Sequence, residues 1–220
     1  IESKNVAETA SHAKTRFLAA ASHDLRQPLQ AITLYLSALR ELEDEQTKQN
    51  LIDKVSTSVD SVSSLLNALL DISKLDAGLV TPSRSSFSIA RILTAIDDIS
   101  GIGESQGVAV RVIPSTSMIE SDPALLETVI RNLAANAVKY TEAGRVLIGC
   151  RHRGRELRIE IWDTGIGIPA DKQHLIFEEF YQVGNFARDR AQGLGLGLSI
   201  VARISTLLGH QVEVNSIEGR

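Results

Sequence analysis

The stretch Ala21-Ser-His-Asp-Leu-Arg-Gln-Pro-Leu-Gln30 lies inside a long helical pattern and places a histidine beside a carboxylate. Apolar or small residues recur around it in alternating steps of four and three, at Leu18, Ser22, Leu25, Leu29, Ile32, Leu36 and Leu39. Such a heptad seam predicts a helix packed against other helices. His23 follows a seam residue, so the pattern predicts that it points toward solvent. From this stretch alone, an ordinary solvated histidine explains His23 as well as a functional one does.

A second heptad pattern follows after the polar segment 42–48, and together the two patterns predict an antiparallel helical hairpin. Its seam is Leu51, Val55, Ser58, Val62, Leu65, Leu69 and Ile72, and a second stripe of Ile52, Val59 and Leu66 widens the apolar face. One hairpin cannot cover both stripes, whereas two hairpins paired in a four-helix bundle can. The pattern therefore predicts a homodimer.

The composition is that of a soluble globular protein, with 220 residues, 43% hydrophobic, 23% charged and a net charge of −4. The mild acidity does not indicate nucleic-acid binding. The single cysteine, Cys150, excludes an internal disulfide, and its apolar strand pattern predicts a buried structural thiol. No apolar run reaches the roughly 18 residues that cross a membrane, and no signal peptide is visible. We expect a cytoplasmic fragment without membrane contact, cut from a longer protein at both ends.

The segment 76–83 contains Gly78 and Pro82, which predict the end of the second helix and a linker. We therefore expect a hairpin over residues 1–78, a linker over 79–85 and a second domain over 86–220. In the second domain the patterns predict helices at 88–104, from 122 through at least 137, at 171–177 and at 197–208, and strands at 108–113, 146–151, 157–162 and 211–215. These elements predict an α+β sandwich, with helices on one face of a mainly antiparallel sheet.

Asn132, Asn136 and Lys139 are spaced by four and three residues, so they share one face of a predicted helix whose start is Asp122 with Pro123 in its first turn. The three side chains are consistent with a merely solvated stripe. A functional reading is also open, because an amide oxygen suits Mg²⁺ and an ammonium suits phosphate.

A second cluster, Asp163-Thr-Gly165-Ile-Gly167-Ile-Pro169, follows directly after an apolar strand pattern. Taken alone, it is better explained as a β-turn. In a functional reading, the glycines let the backbone approach a ligand closely. Asp163 would then accept a hydrogen bond from the exocyclic amine of adenine, where guanine carries an oxygen.

Two further clusters complete the second domain. Aromatic residues at 177–181 precede a polar, glycine-containing stretch, which fits either a mobile loop anchored at one end or a satellite core under a loop. Gly193, Gly195 and Gly197 lead directly into a helix, where free backbone N–H groups can cradle phosphate. The pattern is neither a Walker loop nor a dinucleotide fingerprint.

Together and in this order, the clusters resemble the catalytic core of a sensor histidine kinase of two-component signalling, over nearly the whole chain. The stretch from His23 to Leu29 resembles the phosphoacceptor box, and 132–141 the N box. The segments 163–169, 177–180 and 193–197 resemble the first glycine box, the F box and the second glycine box.

The resemblance implies a dimerisation hairpin followed by an ATP-binding domain of the type shared with gyrase, Hsp90 and MutL. It implies that Asn136 holds Mg²⁺, that Lys139 contacts phosphate and that Asp163 reads adenine. Asn132, Tyr140 and the box glycines, Gly165, Gly167, Gly193, Gly195 and Gly197, complete the implied nucleotide site. The span between Phe180 and Gly193 would be the lid over ATP.

Three features depart from the family pattern. Asp24 stands where the family more often has Glu, Gln27 stands where Thr or Asn is usual, and the final strand after 218–220 is absent. The first two leave phosphotransfer open but predict weak phosphatase activity. The third predicts a domain truncated before its last strand.

The predicted reaction is ATP-dependent phosphorylation of His23, in which Asp24 accepts a hydrogen bond from the protonated ring nitrogen. The phosphoryl group then passes to an aspartate of a response-regulator receiver domain. Two alternatives remain. An ATPase of the gyrase or Hsp90 type would need a catalytic Glu early in the second domain and leaves the His23 stretch unexplained. A degenerate kinase acting as a scaffold would show a broken motif, and all five are intact.

Overall fold

The computed structural model describes residues 21–22, 24–40, 42, 44–154, 156–183 and 195–219. The chain divides into two compact units, Ile1–Ser73 and Lys74–Arg220. Among the described helices, none combines the length and the apolar character that a bilayer span requires.

The first unit contains two helices that form the predicted hairpin. Residues 24–39 are helical (α1) and are followed by α2, Glu45–Asp76, whose last three residues belong to the second unit. Asp44 begins α2 because its Oδ2 accepts the backbone N–H of Thr47 at 2.8 Å, which satisfies one of the free donors of the first turn. The ammonium of Lys54 on α2 lies 5.9 Å from the ring centroid of Tyr35 on α1, so the two helices lie side by side.

The two apolar stripes of α2 differ in burial as the sequence predicts. On the main seam, Leu65 is 1% exposed and Ile72 is 2% exposed. The second stripe remains open to solvent, with Ile52 48%, Val59 47% and Leu66 45% exposed. Each hairpin therefore presents an apolar stripe that stays about half exposed.

The second unit contains two small sheets and four α-helices among its described residues. The strands are β1 (Ser85–Ser88), β2 (Val108–Val112), β3 (Met118–Ser121), β4 (Gly144–Arg153) and β5 (Glu156–Asp163). The helices are α3 (Ala90–Ala95), α4 (Asp98–Ser105), α5 (Pro123–Lys139) and α6 (Gly197–Leu208), and a 3₁₀ turn covers Leu175–Phe177. β1 and β3 pair antiparallel. In the other sheet, of order β2-β4-β5, β2 runs parallel to β4 and β4 antiparallel to β5.

Most of the predicted elements are confirmed, and four expectations are wrong. The helix predicted at 88–104 is a strand, β1, followed by two short helices, α3 and α4. The strand predicted at 211–215 carries no assigned strand pairing. The helix predicted at 171–177 is reduced to turns and one 3₁₀ turn. Cys150 is half-buried rather than buried.

Asp122 fixes the start of α5 in the way that the sequence predicts. Its Oδ1 accepts the N–H groups of Ala124 at 2.9 Å and Leu125 at 3.0 Å, while Oδ2 accepts the N–H of Ser83 at 2.7 Å. The carboxylate is 7% exposed. Burial acts to raise the pKa of Asp122, but the three backbone donors outweigh it and hold that pKa below the ordinary aspartate value. The cap also ties the chain before β1 to the helix that carries Asn132 and Asn136.

We predict that Asp122→Ala lowers the free energy of unfolding by about 2–3 kcal/mol, because it removes an N-cap and leaves the N–H of Ser83 without its acceptor. Urea denaturation measures the loss. A carboxyl with a lowered folded-state pKa stabilises above its unfolded-state pKa, and this contribution disappears as pH falls through the folded-state value. The difference in the free energy of unfolding between wild type and Asp122→Ala should therefore become smaller as pH falls below the ordinary pKa range of aspartate.

Asp97→Ala is the matched control, because Asp97 also precedes a helix but makes no side-chain capping bond. We expect a change within about 0.5 kcal/mol. Equal losses of unfolding free energy in the two variants would show that the Asp122 cap does not stabilise the fold.

Candidate functional site

The amide face of α5 meets the start of α6. A Cβ placed on Gly197 would lie 2.8 Å from Asn132 Oδ1 and 3.9 Å from Asn136 Nδ2. Any larger residue at position 197 would therefore displace the Asn132 amide. Asn132 also donates its Nδ2 to the carbonyl of Thr128 at 2.9 Å, which fixes the amide. The N box and the second glycine box, far apart in sequence, form one surface.

Lys139 and Tyr140 end α5 beside the first glycine box. Lys139 Nζ lies 4.8 Å from the ring centroid of Tyr140 and donates to its hydroxyl at 3.4 Å. Both side chains are half-buried. Burial lowers the pKa of Lys139 and raises the pKa of Tyr140, because each charged form is poorly solvated there. A partly desolvated ammonium gains more from an anionic ligand than an exposed one does.

The turn after β5 packs closely on the end of α5. Asp163 Oδ1 accepts the N–H of Gly165 at 2.9 Å, and the N–H of Ile166 donates to the carbonyl of Tyr140 at 3.1 Å. A Cβ on Gly165 would lie 2.3 Å from that carbonyl, and one on Gly167, which has φ +71°, would lie 2.1 Å from the carbonyl oxygen of Ile217. The hydrogen bond from Ile166 to Tyr140 and the close approach of Gly167 to the Ile217 backbone hold the turn. The Asp163 side chain stays exposed.

The F box and the second glycine box are joined directly. The N–H of Phe180 donates to the carbonyl of Gly195 at 3.0 Å. Both residues have left-handed backbones, at φ 59° for Phe180 and +68° for Gly195. A Cβ on Gly195 would lie 2.9 Å from the Phe180 carbonyl carbon. The two ends of the predicted lid therefore meet at one point, although residues 184–194 lie outside the described chain.

Arg203 is a site-flanking residue that the sequence analysis missed. Its Nε donates to Asp76 Oδ1 at 2.7 Å, and its Nη2 contacts Glu179 just before Phe180. The guanidinium is 27% exposed. The sequence offered one signal for Arg203, which is a charge within the otherwise apolar pattern of α6. The buried residues of that helix include Ile200, Val201, Ile204 and Leu208.

The structure therefore brings together most of the predicted nucleotide-site residues. Asn132 and Asn136 meet Gly197, Lys139 and Tyr140 adjoin Gly165, and Gly195 adjoins the F box, as described above. Asp24 is half-buried on α1, in the other unit. The phosphoacceptor candidate His23 and the lid glycine Gly193 lie outside the described residues.

Two protein-family models match the chain. The His Kinase A (phospho-acceptor) domain matches residues 13–78, and the histidine kinase-, DNA gyrase B- and HSP90-like ATPase matches residues 121–220. The two matches cover the hairpin and the surface where the N box and glycine boxes meet.

Known proteins resemble the chain over almost its full length. An uncharacterised sensor-like histidine kinase of Rhizobium meliloti is 35% identical over 97% of this chain, and the chain spans 42% of that relative's length. The histidine kinase AdeS of Acinetobacter baumannii superposes with a TM-score of 0.69 at 19% identity, covering 90% of this chain and 92% of AdeS. Full-length ShkA superposes with a TM-score of 0.62 at 28% identity, covering 88% of this chain and 41% of ShkA.

The fold and the site thus define a two-domain kinase core, with a helical phosphoacceptor hairpin before an ATPase domain. The chain belongs to the sensor histidine kinases of two-component signalling.

We predict that Gly165→Ala costs about 3 kcal/mol of folding free energy, because the added methyl would overlap the backbone carbonyl of Tyr140 and no flexible side chain can yield. Thermal or urea denaturation measures the effect.

Gly101→Ala serves as the control, since a Cβ there meets nothing within 4 Å and the residue lies inside helix α4. Alanine should be neutral or stabilise by up to about 1 kcal/mol. If both variants unfold like wild type, the contact between the glycine turn and α5 is looser than described.

Proposed function

We propose that this chain phosphorylates His23 with ATP and then passes the phosphoryl group to an aspartate of a response-regulator receiver domain. The meeting of the Asn132 and Asn136 amides with the N-terminus of α6 at Gly197 is the observation that carries the proposal. This surface brings two side-chain amides to a helix N-terminus, where the first backbone N–H groups have no partner within the helix, a combination suited to a nucleoside triphosphate with its metal ion.

Asp163 is proposed to bind adenine. Its Oδ1 is engaged by the N–H of Gly165, which fixes the side chain, and the carboxylate remains exposed at the edge of the glycine turn. An oriented carboxylate accepts a hydrogen bond from the exocyclic amine of adenine, whereas the guanine oxygen would be repelled. Full-length ShkA was solved in complex with AMPPNP, which supports an adenine nucleotide for this chain as well.

Asn136 is proposed to hold Mg²⁺. The described residues contain no group of three or more His, Cys, Asp or Glu that could bind a metal by itself. A half-buried amide facing a helix N-terminus fits an ion that takes most of its ligands from phosphate and water. When bound, Mg²⁺ would offset the negative charge of the phosphates. Lys139 is proposed to contact phosphate, since its ammonium is partly desolvated and lies at the same end of α5.

His23 is proposed to attack as a neutral imidazole. One ring nitrogen forms a bond to the γ-phosphorus while the bond from that phosphorus to the bridging oxygen breaks, and ADP leaves. The other nitrogen keeps its proton, and Asp24 on α1 is the proposed acceptor for that N–H. Positioning and charge neutralisation by the ATP domain supply the remaining rate enhancement.

The hairpin is proposed to dimerise through its open stripe. Ile52, Val59 and Leu66 repeat every seven residues and are each nearly half exposed, as are Leu29 and Leu36 on α1. A second hairpin would cover these side chains in a four-helix bundle. We accordingly assign residues 1–78 to dimerisation and phosphotransfer, 79–85 to a linker and 86–220 to ATP binding.

We predict that γ-³²P-labelled ATP with Mg²⁺ gives acid-labile, base-stable label on the chain and that His23→Gln abolishes it. His174→Gln is the matched control, because His174 lies in the turns before the 3₁₀ segment and should leave labelling unchanged. Full labelling of the His23 variant would refute the acceptor assignment. Release of free phosphate without labelled protein would favour the gyrase-type ATPase, and inertness toward ATP would favour a scaffold.

We predict that Asp163→Asn weakens ATP binding ten- to a hundredfold, which corresponds to about 1.5–3 kcal/mol for a charge-assisted bond. Isothermal titration calorimetry measures the affinity. Asp171→Asn is the control, because Asp171 is exposed and pairs only locally with Lys172. If Asp163→Asn binds ATP as tightly as wild type does, Asp163 only stabilises the glycine turn and does not bind adenine.

We predict that the chain sediments as a dimer and that Leu66→Glu weakens the dimer at least tenfold, since each copy would bury a charge in the bundle. Asn67→Glu places the same charge on a neighbouring exposed position and should leave the dimer intact. Sedimentation equilibrium decides between the two outcomes. A monomeric wild type at micromolar concentration would contradict the bundle.

A further inference from the structure

The outer face of the sheet β2-β4-β5 carries a second, unassigned surface. Side chains alternate between faces along a strand. Val108, Val146 and Ile148 are buried on the inner face. The outer face therefore presents Arg111, Ile113, Arg145, Leu147, Gly149 and Trp162, a set that we call the Trp162 face.

We propose that the Trp162 face binds an acidic protein partner that seats an apolar side chain against Trp162 and Leu147. This surface is distinct from the proposed nucleotide site. Asp163, the proposed adenine ligand, is the next residue along β5, so the alternation of the strand directs it away from the Trp162 face.

The centre of the face is apolar and exposed. Arg111, Leu147 and Trp162 are cross-strand neighbours in one row of the sheet. Trp162 is 59% exposed and Leu147 is 39% exposed. The indole N–H of Trp162 donates to Glu160 Oε2 at 3.1 Å, which orients the ring. Exposed aromatic residues with restricted motion are typical anchors of protein interfaces.

The next row of the sheet holds Ile113, Gly149 and Glu160. Gly149 has no side chain, and a Cβ there would lie 3.2 Å from the side chain of Ile113. Gly149 pairs with Glu160 across the sheet. The Ile113 side chain therefore covers the Gly149 backbone and extends the apolar part of the face.

The rim of the face is basic, although the whole chain has a net charge of −4. Arginines occupy five outward positions on the three strands, namely 111, 145, 151, 153 and 158. Arg151 pairs with Glu160, and Arg158 pairs with Glu213 at 3.2 Å. Arg111 and Arg145 are exposed and form no ion pair with any described residue. Their charges favour a partner that brings carboxylates.

The composition favours a protein over a nucleic acid. The Leu147 and Trp162 pair offers an apolar centre inside a charged rim, which is the arrangement of a protein–protein contact.

Trp162 is the chain's one tryptophan, so its fluorescence reports directly on occupancy of this face. The probe is a capped peptide that repeats Glu-Glu-Leu. We expect a saturable blue shift of the emission that weakens as salt rises. A Lys-Lys-Leu peptide and an all-Glu peptide should each bind at least tenfold more weakly, the first through lost charge attraction and the second through the missing apolar anchor.

Arg111→Glu should weaken binding of the Glu-Glu-Leu peptide about tenfold, and Leu147→Ala by a similar factor. Arg91→Glu is the charge-matched control on the exposed side of α3 and should leave the affinity unchanged. ATP affinity should be unchanged in all three variants, which separates this surface from the proposed kinase site. No saturable shift, equal weakening by Arg91→Glu, or tighter binding of duplex DNA than of the peptide would overturn the proposal.

Discussion

Helix α5 has to serve two surfaces at once, and the second unit is arranged around that requirement. Its buried side, with Leu126, Val129, Ile130, Ala134, Ala137 and Val138, faces the hydrophobic core. It packs against α3, α4, α6, β4 and β5. Its other side carries two amides and an ammonium at spacings of four and three. The polar side is held in place by the packing of the apolar one, because a rotation of the helix would expose the core.

The elements that the sequence predicts well are those with a long local period. α2, α5 and α6 have sustained helical spacing, and the antiparallel pair of β4 and β5 is adjacent in the chain with a short turn. The short strand β1 was missed because its sequence, Ser-Ser-Phe-Ser, has little apolar pattern and its partner β3 lies some thirty residues away. Such pairing depends on tertiary contacts that local propensity does not contain.

In the candidate site, too, the sequence predicts the local features and the structure is needed for the tertiary contacts. The residue types and spacing of the N box and glycine boxes predict a nucleotide-binding site. The approach of Gly197 to Asn132 is a property of how α5 packs on α6, and only the structure gives it. Arg203 could not be paired with Asp76 and Glu179 from the sequence, since one partner lies 127 residues away and the other 24. His23 lies outside the described residues, so its role rests on the sequence and the family.

The hydrogen bond between Phe180 and Gly195 closes a ring in the chain. Residues 181–194 form the interior of that ring, and its ends are fixed whatever the interior contains. Once the ends of a loop are held together, the entropic cost of enlarging it grows only with the logarithm of its length, about 0.6 kcal/mol for each doubling. The segment between the F box and α6 can therefore gain or lose residues at little cost to the rest of the fold. In such a design, evolution can change the length and composition of this segment without rebuilding the F box or the start of α6.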